Sequence, residues 1–157
     1  MWPEEGVFFT APVNKDTVAV RLDFIREQVK NLQMAGDSDL LSAKLRDPFV
    51  FNGMVRMLQT SVEAMIDLAY HLCAKLYAKA PENAAHAFEI LREGGAISGE
   101  FLLVATEMVR FRNRVVHGYL NKNPEAVRRM LQEHLGDFAV WERLVSDILR
   151  GQESATT

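Results

Sequence analysis

Between Pro48 and Lys79 the chain leaves almost no room for a polar surface. A helix turns about 100° per residue. Stepping from Arg56 at that angle gathers Arg56, Thr60, Glu63, Asp67, Tyr70 and His71 into one narrow wedge. Met57, Leu58, Val62, Met65, Ile66, Leu68, Leu72 and Leu76 fill most of the remaining circumference. A helix lying on a protein surface carries a wider polar side. This one has to be covered by neighbours in nearly every direction, with its wedge left to solvent, a cleft or a partner. Its start is well marked, with Asp47 as the N-cap and Pro48 at the first helical position.

The rest of the chain supplies helical neighbours. Val18, Leu22, Ile25, Val29 and Leu32 recur at helical spacing, which predicts a helix from about Asp16 to Met34, stopped at Gly36. A short helix from Asp39 to Arg46 follows the capping signal "GDSD". After "APEN", a short helix from Asn83 to Arg92 ends at two glycines. Ser98 caps a fifth helix that reaches about His117. "NKNP" then breaks the chain, because Pro124 disfavours helix in the residue before it. The last helical region spans Pro124 to Leu149, with a bend expected at Gly136. The expected fold class is all-α: an up-down bundle of four main helices plus short connecting helices. Residues 1–14 form an extended N-terminal arm, the only place with a strand-like pattern ("GVFFTAPV"). The bundle occupies 15–150, and 151–157 form a polar, frayed tail.

A chain of 157 residues is one domain by length and can bury a core without staples. The single cysteine, Cys73, excludes an internal disulfide, and no Cys/His cluster has zinc spacing. Cys73 reads as a small core residue in a reducing compartment, so a cytoplasmic location is expected. "MWPEEGVFF" lacks the basic start and apolar run of a secretory leader. No uninterrupted apolar run reaches the roughly 18 residues that a membrane span needs, so no membrane partner is expected. The formal net charge is −3, whereas a general nucleic-acid coat would be basic. Any contact with RNA has to come from a local patch.

"VRFRNRVVHGYLN", Val109 to Asn121, is such a patch at the end of the fifth helix. Phe101, Val104, Ala105, Phe111, Val115 and Tyr119 form the apolar stripe of that helix, and Arg112 falls inside it. A buried guanidinium is costly unless paired. Arg112 therefore needs a carboxylate such as Glu63 or Asp67, or the phosphate of a ligand. Its rigid fork suits either. His117 lies about 140° away on an ideal helix. The two converge only if the helix unwinds between Val116 and Gly118, or if two copies meet across a twofold axis. A simpler reading makes Arg110, Arg112, Arg114 and His117 cations favoured by the helix C-terminus, each worth about 0.3–1 kcal/mol. Glu63, Asp67 and His71, spaced four apart, also fit a metal reading. Carboxylate-bridged bundles show Glu-x-x-His on two helices, however, and only one such wedge occurs here. No metal or other cofactor is expected.

The order Arg112-Asn113-x-x-x-His117-x-Tyr119 resembles the HEPN-domain toxins that are paired with minimal nucleotidyltransferase antitoxins (HepT-like). "RMLQTSVEAMIDLAYHL" is similar to that family's long second helix, and "AFEILREGGAIS" to its short linker helix and glycine turn. The resemblance runs from about Asp16 to Leu149. It implies a helical homodimer whose two motifs face one cleft, and a metal-independent ribonuclease with Arg112 and His117 as the catalytic pair. It further implies Asn113, Glu63 and Asp67 in support, Arg110 and Arg114 as RNA contacts, and Tyr119 as the residue on which the antitoxin places AMP. Two features depart from the family pattern. The arm "MWPEEGVFFTAPVN" is longer, and "LNKNP" stands where an Asp often follows the tyrosine.

The chemistry is consistent with that implication. Without metal, the 2′-hydroxyl of RNA attacks the adjacent phosphorus if a base accepts its proton, and an imidazole with an ordinary pKa near 6.5 suits this. Fixed positive charge is needed where the phosphorane develops, and arginine supplies it. The alternative is a non-enzymatic helical module that binds, or is modified by, a nucleotidyltransferase partner. A plain dimeric bundle is the third reading.

Overall fold

The computed structural model of the chain describes residues 12–118 and 123–155. Its helices in order are α1 (Lys15–Gly36), α2 (Leu41–Arg46), α3 (Pro48–Tyr77), α4 (Ala84–Glu93), α5 (Gly99–Val116), α6 (Pro124–Arg129) and α7 (Leu135–Ala155). One π-helical turn, Met130–His134, joins the last two. Among the described residues there is no strand, and no helix is long and apolar enough to cross a membrane. The strand-like stretch of the arm lies outside the described residues apart from Pro12 and Val13.

The helix starts are written in the side chains that precede them. Asp47 accepts from the backbone N–H of Phe49 and Val50 at the head of α3. Asn14 accepts from Thr17, Asn83 from His86, Ser98 from Phe101 and Asn123 from Ala126. Each such cap is worth about 1 kcal/mol. Helix α3 is the centre of the bundle. It touches α1, α2, α4, α5 and α6, as its all-round apolar surface requires. Met54, Val55, Leu58, Val62, Met65, Leu68 and Leu72 are buried, and Ser61 is buried with its hydroxyl donating to the Met57 carbonyl at 2.7 Å. In the polar wedge, Arg56 and Asp67 are exposed, and Thr60, Glu63, Tyr70 and His71 are half-buried.

The C-terminal limb closes the bundle through Trp141, which is fully buried. Its ring lies parallel to Phe101 of α5 at 5.7 Å and edge-on to Phe88 of α4 at 5.6 Å. The bend expected at Gly136 does not form there. Gly136 is exposed within a continuous helix, and the irregularity comes earlier, as the π-turn over Met130–His134. A π-turn inserts one residue into the helical ladder. Here it keeps Met130, Leu131, Leu135, Phe138 and Trp141 on the buried side.

The C-terminal end of the bundle differs from expectation. Helix α7 continues through residues expected to form a frayed tail, as far as Ala155. It is held by the end of the arm. Gln152 Oε1 accepts from the Val13 N–H at 3.1 Å, and Lys15 pairs with Glu153, holding that carboxyl below its usual range. Val13 itself is buried. A frayed terminus is the default only when nothing ties it down.

His71 anchors the arm from the α3 side. Its Nε2 accepts from the Asn14 N–H at 3.1 Å, which requires that nitrogen to be unprotonated. Burial, and then the nearby charge of Lys75, push the imidazole below its ordinary pKa. The unfolded chain therefore binds this proton more readily than the folded one. The stabilisation is complete above the unfolded pKa near 6.5 and is lost as pH falls through that value toward the folded one. Urea denaturation followed by circular dichroism is expected to give a midpoint that is level from pH 7 to 8 and falls on acidification to about pH 5. In His71→Gln that fall becomes shallower.

The turn after α4 depends on the missing side chain of Gly94. A Cβ built there would lie inside the ring of Tyr77 at the end of α3. Gly94→Ala is expected to cost about 1–3 kcal/mol as the ring is displaced, read as a lowered Tm.

Candidate active site

Helix α5 presents its motif where its hydrogen-bond ladder runs out. The helix is anchored by Phe101, Ala105, Met108, Val109 and Phe111, all buried, with Val104 and Val115 half-buried. After Phe111 the stripe reaches the edge of the core. The last helical residue is Val116, and His117 is the C-cap, its N–H donating to the Asn113 carbonyl at 3.0 Å. Gly118 then takes a left-handed conformation, φ +74°, and its N–H closes on the Val115 carbonyl at 2.9 Å. Glycine is favoured at such a stop because it has no Cβ to clash. The imidazole of His117 is thus carried on a sharp turn, exposed to solvent.

Arg112 is half-buried, and its Nε donates to Asn113 Oδ1 at 3.0 Å. Asn113 is itself exposed. The expected pairing of Arg112 with Glu63 or Asp67 does not form. Asp67 faces α1, where it pairs with Arg21 at 3.4 Å, and Glu63 accepts from Gln59 Nε2 on its own helix at 2.9 Å. The physical reason is position. Arg112 sits at the margin of the apolar stripe, where water reaches its guanidinium, so no carboxylate is required to compensate burial. Neither wedge carboxylate is bonded to Arg112.

The remaining predicted residues fall around this helix end. Arg110 is exposed and pairs with Glu107 one turn back, at 2.6 Å. Arg114 is exposed and lines a cavity of about 470 Å³ between α5 and the limb formed by α6, the π-turn and α7. Tyr119 lies outside the described residues. Among the described residues, no group of three or more His, Cys, Asp and Glu side chains is placed to hold a metal ion. Of the three wedge residues that fitted the metal reading, Asp67 is engaged by Arg21 and His71 by the Asn14 N–H. Cys73 is buried, donates its S–H to the Ala87 carbonyl at 3.2 Å, and is pushed by burial to a pKa of about 11, which makes it a poor nucleophile.

Sequence reasoning did not find the cavity. Arg129, His134 and Asp137 also line it, and His134 Nδ1 lies 3.2 Å from Asp137 Oδ2. Their spacing on the last helical region was readable. That they face α5 depends on the π-turn, which no residue type announces.

Comparison with known proteins places these features in a family. A family model described as "Ribonuclease HepT-like" matches residues 22–141, which include α3 and the whole described motif of α5. The mRNA nuclease HepT of Shewanella oneidensis is 28% identical over 126 residues, covering 78% of this chain and 91% of that protein. Among solved structures, a tri-AMPylated Shewanella oneidensis HEPN toxin in complex with MNT antitoxin superposes with a TM-score of 0.76 at 24% identity, over 85% of this chain and 99% of that one. YutE, a cytosolic Bacillus subtilis protein of unknown function, gives a TM-score of 0.75 at 14% identity, over 89% and 93% of the two chains. At these identities the two structures speak for the fold alone.

Proposed function

Because the chain belongs to the Ribonuclease HepT-like family, we propose that it is the toxin of a toxin–antitoxin pair, a metal-independent endoribonuclease that uses Arg112 and His117. The observation that carries this reading is the end of α5. An arginine steadied by its neighbouring asparagine and a histidine on a glycine-stopped turn both reach solvent there, within the stretch that the family model matches. The relative named as an mRNA nuclease supports RNA as the substrate.

The chemistry follows from those two groups. Neutral His117 takes the proton from the 2′-hydroxyl of the substrate ribose. The 2′-oxygen then bonds to the adjacent phosphorus, and the bond from phosphorus to the 5′-oxygen breaks. One product ends in a 2′,3′-cyclic phosphate and the other in a 5′-hydroxyl once its oxygen has been protonated. The fixed charge of Arg112 stabilises the phosphorane oxygens as they gain charge. Asn113 positions that guanidinium. In a homodimer with a twofold axis near the α5 ends, the same histidine of a second copy supplies the proton to the leaving oxygen, which gives dimerisation a catalytic reason. Arg110 and Arg114 contact flanking phosphates.

Regulation follows from Tyr119, two residues beyond the catalytic histidine. A minimal nucleotidyltransferase antitoxin joins its phenolic oxygen to the α-phosphorus of ATP, and pyrophosphate leaves. The AMP adds bulk and negative charge beside Arg112 and keeps RNA out.

Arg112→Ala and His117→Ala are each expected to slow cleavage of a single-stranded RNA by at least about 100-fold. Their folding stability should stay within about 0.5 kcal/mol of the parent, because neither side chain is part of the core. Wild-type cleavage rates in both variants, measured on a gel, would overturn the assignment. Tyr119→Phe is expected to cleave normally and to gain no AMP on co-expression with the nucleotidyltransferase, as read by intact mass. AMP incorporation into a wild-type protein that cuts no RNA would instead support the non-enzymatic module.

A further inference from the structure

The cavity beside the motif is lined by two arginines that the catalytic pair does not use. Its carboxylates each have a basic neighbour. Glu107 pairs with Arg110 at 2.6 Å, Asp137 lies 3.2 Å from His134 Nδ1, and Glu133 lies 3.9 Å from His134 Nε2. Its two arginines do not. Arg114 of α5 and Arg129 of α6 line the same cavity, both are exposed, and neither has an ion-pair or hydrogen-bond partner among the described residues. Arg128, next in sequence, is engaged elsewhere: it pairs with Glu125 at 3.3 Å and reaches Ser42 of α2 at 3.1 Å. Two unpaired guanidiniums on opposite walls of one groove match an anion with several acceptor oxygens. Between them the floor is apolar and soft, made by Met108, Phe111 and Met130, and suits the face of a base.

We infer that Arg129, together with Arg114, forms a phosphate clamp in the groove between α5 and α6, through which the RNA strand passes on leaving the catalytic pair. The inference rests on the RNA-cleaving reading above and adds Arg129 to it as a substrate-binding residue outside the motif. Charge selects this occupant. Arg114 and Arg129 are the groove's charged side chains left without a partner among the described residues, and a phosphate is the anion that two such forks fit.

The test is binding of a fluorescent 2′-O-methyl oligoribonucleotide, which keeps the phosphates and lacks the attacking hydroxyl, titrated at several salt concentrations. Arg129→Gln is expected to weaken binding about tenfold at low salt. It should also flatten the dependence of log affinity on log salt by about 0.7, one phosphate contact on a single strand. Arg143→Gln, an exposed arginine of α7 that does not line the groove, serves as the control and should leave both unchanged. Wild-type affinity and salt slope in Arg129→Gln would overturn the clamp, as would an equal loss in Arg143→Gln. A change confined to self-association or antitoxin binding, read by sedimentation, would also overturn it and make the groove a protein interface. Cleavage of ordinary RNA by the parent protein is measured in parallel. If the parent cuts RNA and Arg129→Gln binds normally, only the clamp falls. If the parent neither cuts nor binds RNA, the ribonuclease reading falls with it.

Discussion

Everything in this molecule is arranged around the need to cover α3. A 30-residue helix with apolar side chains on most of its circumference cannot be left facing water on more than its narrow polar wedge. Helices α1, α2, α4, α5 and α6 answer that need, each laying an apolar stripe against it. The caps decide where each covering helix begins, and burial against α3 decides which face it turns inward. The start of α1 and the end of α7 are then fastened by Gln152, Lys15 and His71.

The placement of the α5 motif follows from where this covering stops. Helix α5 is longer than the surface it has to cover, so its stripe runs out after Phe111 and its last turn stands at the rim. A guanidinium there need not be neutralised by a buried carboxylate. Glycine ends the helix abruptly, which places His117 on a turn and not inside a helical face. Core and motif are thus separated along one helix: the buried residues run from Phe101 to Phe111, and the motif stands on the turns that follow.

The same logic shapes the groove. Trp141 brings α7 against α4 and α5 through two aromatic contacts, while the π-turn shifts the preceding residues so that the limb stays packed on its own side. The space left between α5 and this limb is lined by side chains from both. Its acids sit beside basic neighbours, while Arg114 and Arg129 have no partner among the described residues.

The helical fold class, the central position of α3, the capping residues and the motif itself were all legible in the sequence, because each depends on residue type and spacing over one or two turns. Asp47 and Pro48, the wedge from Arg56 to His71, and Gly118 as a stop are local signals of this kind. What only the tertiary structure decided are the relations between helices. Asp67 turned to Arg21 and not to Arg112, because the wedge of α3 faces α1. Residues 151–155 of the polar tail became helix, where Val13 and Lys15 bond to Gln152 and Glu153. The helix irregularity fell at Met130–His134 and not at the glycine, because the core fixed which residues of the limb had to point inward. Periodicity specifies which face of a helix is apolar; which neighbour meets that face, and what polar groups are left beside it, is set by how all the helices pack at once.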